Sequence, residues 1–130
     1  MSSRVNHSSG ASWEERYGYS RAVRIGNTIE VSGTVAVDDA GAVVGAGDAG
    51  AQTAFILKKI AAVLERAGGT LAAVVRTRVY VTDISQADAI GRAHGAVFRS
   101  IRPCTTMVEV RALIDPAYLV EIEATAVLDS

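Results

Sequence analysis

DAGAQTAFILKKIAAVLERAGGTLAAVVRTRVYV, residues 48–81, is the stretch that decides the fold class. Its first part places Ile56, Ile60, Val63 and Ala67 at the i, i+4, i+7, i+11 spacing of one helix face, with Leu57 and Leu64 beside them. Lys58, Lys59, Glu65 and Arg66 fall on the other side. Gly68-Gly69 then supplies the left-handed stop that helix C-termini favour. The spacing predicts a helix over 48–67. The second part, 74–81, is apolar on both of its alternating faces. A strand of that kind belongs inside a sheet rather than at a wet edge.

Working outward, 21–25 and 28–35 are β-rich runs separated by Gly26-Asn27, a hairpin signal because both residues tolerate positive φ. Asp38-Asp39-Ala40-Gly41 predicts a second turn, with a short third strand over 42–44. Residues 1–12 are small and polar and read as a flexible arm, leaving 13–130 as a single domain. Beyond the interior strand, Ser85-Gln86-Ala87-Asp88 resembles a capping box. It opens a helix to about residue 99 that buries Ile90, His94, Val97 and Phe98, and Arg102-Pro103 breaks it. The last strands run over 105–110 and 119–128. In the second of these Val120, Ile122, Ala124 and Ala126 face one way, and Glu121, Glu123 and Thr125 the other. The order β-β-(β)-α-β-α-β-β is an α+β fold. Two helices cover one sheet face only, and the other face is partly apolar, which predicts self-association.

Composition narrows the function. Of 130 residues, 49% are hydrophobic and 21% charged, which excludes a disordered chain. Lys plus Arg is 13 and Asp plus Glu 14, for a net charge of -1, so nucleic acid is a poor candidate for the main partner. One cysteine permits no intrachain disulfide. With no signal-peptide pattern and no long apolar run, a cytoplasmic, non-membrane protein is expected. Neither histidine has a partner at metal-ligand spacing, so no metal and no cofactor are expected. Cys104 reads as a small buried thiol and His94 as a partly buried, satisfied ring. The glycines of 45–50 lack the Lys-Ser/Thr of a phosphate loop. The informative groups are carboxylates: Glu109, Glu121 and Glu123. Burial of one of them would raise its pKa toward neutrality and suit it to proton transfer.

An ordered set of segments resembles the Rid superfamily, also called the YjgF or endoribonuclease L-PSP family, over about residues 17–128. Tyr19-Ser20-Arg21-Ala22 is similar to the family's Tyr-Ser-Gln-Ala. Gly26-Asn27-Thr28-Ile29-Glu30-Val31-Ser32-Gly33 is similar to its Gly-Asn-x-x-x-x-Ser-Gly hairpin. Ala51-Gln52-Thr53, the strand from Val75 to Asp83, Arg102-Pro103, Val108-Glu109-Val110 and Val120-Glu121-Ile122-Glu123-Ala124 complete the set. The resemblance implies a chorismate-mutase-like fold with a mixed sheet, a homotrimer around a central barrel, and a small-molecule ligand in clefts between subunits. The best-known branch hydrolyses 2-imino and 2-enamino acids. The resemblance points to Glu121 as the catalytic residue, positioning a water, with Tyr19, Ser32, Thr105, Thr106 and Met107 at the ligand. It also marks a departure: where that branch has Pro-Ala-Arg-Ser, this chain has Pro103-Cys104-Thr105-Thr106. Thr105 is neutral and cannot form the bidentate grip of Arg on a carboxylate. Arg21 and Arg102 are the candidate substitutes for that cation. The expectation is an imine or enamine hydrolase of altered specificity, or else a non-catalytic metabolite-binding protein, with endoribonuclease activity last.

Overall fold

Val120, Ile122, Ala124 and Ala126 are buried, and the alternating Glu121, Glu123 and Thr125 are half-buried on the opposite face. That alternation defines the two sides of the molecule. The computed structural model describes residues 3–129. It runs β1 (Val5–His7), α1 (Ser12–Tyr17), β2 (Ala22–Ile25), β3 (Thr28–Thr34), α2 (Ala49–Arg66), β4 (Val74–Val81), α3 (Ala87–Phe98), β5 (Cys104–Glu109) and β6 (Val120–Val127). One-turn 3-10 helices at Leu71–Ala73 and Ile84–Gln86 precede β4 and α3. The sheet order is β1-β2-β3-β6-β4-β5, with β4 and β5 parallel and every other pair antiparallel.

The α2 and α3 helices pack on one face, as expected of an α+β chain with this pattern. Ile56, Leu57, Ile60 and Leu64 of α2 are fully buried against Ile29, Val31, Ile122 and Ala124 of the sheet. Burying each such side chain stabilises the fold by about 1.5–3 kcal/mol. Asp48 caps α2 by accepting from the Ala51 N–H at 3.0 Å. Gly68, at φ 91°, ends it, and the Gly69 N–H donates back to the Leu64 carbonyl at 2.7 Å. The β4 strand lies between β6 and β5, the interior position its two apolar faces predict.

Several expectations are corrected. Val5–His7 of the expected arm pairs with β2, because extended polar residues can still complete the backbone bonds of an edge strand. Residues 12–17 add a short helix. Met1 and Ser2 of the arm, and Ser130 at the domain's end, lie outside the described residues. The short third strand reduces to a single bridge, Val37↔Val43. The capping box does not form. Asp83 instead accepts from the Ser85 N–H and hydroxyl at 3.0 and 2.6 Å and caps a 3-10 turn that starts two residues earlier than the box would. Cys104 is exposed rather than buried, since it begins β5, the edge strand of the sheet among the described residues. Among the described residues, no helix is long and apolar enough to cross a membrane.

Candidate functional site

The β3 strand pairs regularly with β6 as far as Val31↔Ala124, then slips so that Thr34 opposes Ile122. Ser32 and Gly33 therefore both stand opposite Glu123, a β-bulge, which bends the strand and re-aims its neighbours. The carboxylate of Glu121 fills the space this opens. A Cβ on Gly33 would collide with Glu121 Oε2, so glycine is what admits the acid here. Arg21 closes the other side, donating from Nη2 to the Gly33 carbonyl at 2.7 Å. The Ser32 N–H donates to the Arg21 carbonyl at 3.0 Å, and its hydroxyl donates to the Ser20 carbonyl at 2.7 Å. The strand pairing thus holds Arg21, Ser32, Gly33 and Glu121 in one constellation.

Burial raises the pKa of Glu121 above its ordinary value; the Arg21 charge opposes the rise and Glu123 adds to it. Glu123 has a different role. It accepts from the Tyr80 hydroxyl at 2.6 Å and pairs with Arg78 at 3.4 Å, which raises the Tyr80 pKa chiefly through that hydrogen bond. Two carboxylates two residues apart on one strand face are therefore distinguished. One is engaged by a phenol and a guanidinium, whereas the other is half-buried beside a glycine. Arg21 is itself half-buried, and its Nε is buried without a hydrogen-bond partner among the described residues.

Tyr19 and Arg21 both lie in the link between α1 and β2, outside the strands. The Tyr19 N–H donates to the Glu14 carbonyl of α1, and the residue is 44% exposed. Tyr19, Ser20 and Ser32 line a groove of about 460 Å³ together with Arg4, Glu14 and Val23. Sequence reasoning missed Glu14. Burial works against its charge, but hydrogen bonds from Ser9 and Ser8, with Arg21 nearby, outweigh it and hold the carboxyl below the ordinary range.

The remaining expected residues lie elsewhere. Thr105, Thr106 and Met107 are on β5, whose register places Thr105 opposite Thr77, Thr106 opposite Arg78 and Met107 opposite Val79. Thr105 and Met107 therefore face the helices, and only Thr106 shares the open face with Glu121. Buried Thr77 donates to the Thr105 hydroxyl at 2.7 Å and lies 2.9 Å from His94 Nε2. The His94 ring rests on Phe98 with centroids 4.6 Å apart, and burial pushes its pKa down. Arg102 is exposed at φ 57°, in the left-handed region just after α3. Of the two candidate cations, Arg21 is the one that sits beside Glu121. The expected residues thus form two groups on one chain. The strand spacing of about 4.8 Å puts Thr105 about 10 Å from the β6 backbone, and it faces the opposite side of the sheet. Gly33 carried a legible signal, a glycine inside a strand pattern. Thr77 and His94 carried none, since they meet only through the packing of α3 on β4. Among the described residues, no three His, Cys, Asp or Glu side chains converge as a metal site.

A family profile described as Endoribonuclease L-PSP matches residues 11–128. An uncharacterized protein of Streptomyces coelicolor is 37% identical over 118 residues, 91% of this chain and 87% of that one. A 3-aminoacrylate deaminase, RutC, of Acinetobacter baylyi is 34% identical over 108 residues, 83% of this chain and 85% of that one. Among solved structures, a Mycobacterium tuberculosis protein described as a member of the YjgF/YER057c/UK114 family superposes with TM-score 0.88 at 51% identity, covering 97% of this chain and all (100%) of that one.

Proposed function

This chain belongs to the endoribonuclease L-PSP family, also called YjgF or Rid, and from that premise we propose that it hydrolyses an imine, enamine or related small C–N compound in a cleft between subunits. The observation that carries the reading is Glu121, half-buried in the space at the Ser32–Gly33 bulge with Arg21 beside it. A carboxylate whose pKa is raised by burial is a competent base close to neutral pH. In the proposed reaction Glu121 takes a proton from water as the water oxygen bonds to the imine carbon, and passes that proton to the imine nitrogen. The carbinolamine O–H proton then moves to the nitrogen, again by way of Glu121, as the C–N bond breaks, so that ammonia leaves and a carbonyl remains. An enamine enters the same sequence after protonation at carbon. Neither step requires a covalent nucleophile; orientation and preorganised charge carry the acceleration.

The division of expected residues into two groups supports the intersubunit location. Thr105 on β5 and Glu121 on β6 do not meet within one chain, and in a trimer the edge strand of one subunit can approach the bulge of the next. The neutral Thr105 favours a ligand other than a 2-imino acid. RNA is a poor ligand for a chain of net charge -1. The test is ammonia release from imines and enamines generated in situ, with wild type beside Glu121→Gln. The variant is expected to lose about 10²- to 10⁴-fold in turnover while still binding ligand. Wild-type turnover is expected to fall on acidification through the raised pKa of Glu121, since the protonated acid is no base. Turnover unchanged by Glu121→Gln overturns the assignment. Ligand binding without turnover of any C–N compound supports a metabolite-binding protein instead.

A further inference from the structure

Gly33 carries two opposite charges on one residue. Arg21 lies just before β2, on one side of β3, and reaches across to donate from Nη2 to the Gly33 carbonyl at 2.7 Å. Glu121 comes from β6, on the other side of β3, and its carboxylate fills the place where a Cβ of Gly33 would be. The carbonyl of Gly33 thus holds the cation, and its missing side chain admits the anion.

The bond to Gly33 does not itself need a charge. A glutamine amide is also an N–H donor for a carbonyl. The guanidinium brings a half-buried positive charge near the like charge of Lys59 on α2, and its Nε is buried without a hydrogen-bond partner among the described residues. Such a charge costs stability unless an anion compensates it. Glu14 and Glu121 both feel the charge of Arg21. Glu14 is already engaged by Ser8 and Ser9. Glu121, among the described residues, accepts no hydrogen bond and makes no direct ion pair. The other groups facing Glu121 are Glu123, which repels it, and Tyr80, opposite it in register on β4. Those two are bonded to each other, and Arg78 is paired to Glu123. Arg21 and Glu121 are left to compensate one another.

We propose that Arg21 is a positioning residue for the reaction: it pins the Ser32–Gly33 bulge that admits Glu121, and it supplies the countercharge that keeps this half-buried carboxylate ionised as a base. The inference rests on the reading of Glu121 as the base and goes beyond it in naming the residue that readies it. The separation matters. A guanidinium forked onto the carboxylate would occupy the oxygens that must take a proton from water. Bonded to Gly33 instead, Arg21 acts through space and leaves both oxygens of Glu121 unengaged.

The experiment is a pH titration of the full chain, followed by the side-chain carboxyl ¹³C resonance of Glu121 and assigned with Glu121→Gln, beside the pH profile of ammonia release. Arg21→Gln is expected to raise the proton affinity of Glu121 roughly ten-fold, and the acid limb of the turnover profile should move to higher pH with it. Arg21→Lys, which keeps the charge, should restore most of the wild-type titration. In wild type the ¹⁵N resonance of the Arg21 Nε–H should shift with the midpoint of Glu121, a readout that needs no variant. A Glu121 titration unmoved by Arg21→Gln, an Arg21→Lys that behaves as Arg21→Gln, or an Nε–H that ignores the midpoint overturns the proposal and leaves Glu121 standing as the base. Titrations that shift as expected, with turnover absent in every protein, uphold the countercharge and count against the hydrolase reading alone.

Discussion

Thr105 is the residue at which this chain parts from the deaminase pattern, and its effect on activity follows from charge. An arginine offers two parallel charge-assisted bonds to a substrate carboxylate, and a threonine offers one neutral hydroxyl. Losing the charged partner of a desolvated carboxylate costs about 2–5 kcal/mol. At about 1.4 kcal/mol per factor of ten, that is roughly 30- to several-thousand-fold in rate. Hydrolysis of 2-iminobutanoate by wild type is therefore expected to be very weak, and Thr105→Arg is expected to exceed it in ammonia release. Wild-type turnover equal to that of an arginine-bearing relative, and undiminished in Arg21→Ala and Arg102→Ala, would show that no cation here decides the substrate. Glu121 was legible as one of three candidate carboxylates because strand alternation set it opposite the core. That it, rather than Glu123, is the acid beside the bulge was not legible. The distinction depends on Tyr80 and Arg78 reaching Glu123, and on the room at Gly33.

Among the elements, α2 shows how a local signal acquires a tertiary consequence. Gly68 stops the helix at φ 91°, as its place in the sequence predicts. The structure adds that Arg24 of β2 donates to the Ala67 carbonyl at 2.7 Å, capping the negative end of the helix from the hairpin. A Cβ on Gly68 would meet that guanidinium. Gly68→Ala is thus expected to cost about 1–2 kcal/mol from the left-handed backbone alone, with a further loss as Arg24 is displaced. Urea unfolding checks this, and a midpoint unchanged from wild type would contradict it. The elements that sequence reading missed are short or formed by context. The β1 strand is three residues long and exists through its partner, and α1 is six residues long. The capping box failed because the nearer Asp83 engaged Ser85 first.

At the scale of the whole molecule, no helix among the described residues covers the second sheet face. Its middle is polar, with Tyr80 and Arg78 on Glu123 and the Thr125 hydroxyl on Glu30 at 2.5 Å. Its margins carry exposed Ile25, Val108 and Val127. Burying such margins favours association, and the paired polar centre tolerates it because its groups bring partners with them. Sedimentation equilibrium is expected to give about three times the 13.6 kDa chain mass. A stable monomer at micromolar concentration would remove both the assembly and the shared cleft.

By itself the sequence determined the α+β class, the interior position of β4, the two helices on one face and the family. Those follow from periodicity and turn chemistry, which act over a few residues and are written locally. Only the tertiary structure decided which residues share a site. It separated Thr105 from Glu121 across the sheet, set Arg21 rather than Arg102 beside the acid, and joined His94 to Thr105 through Thr77. The physical reason is register. The β3 bulge and the parallel pairing of β4 with β5 each turn on a one-residue choice, and a shift of one residue exchanges the two faces of a strand.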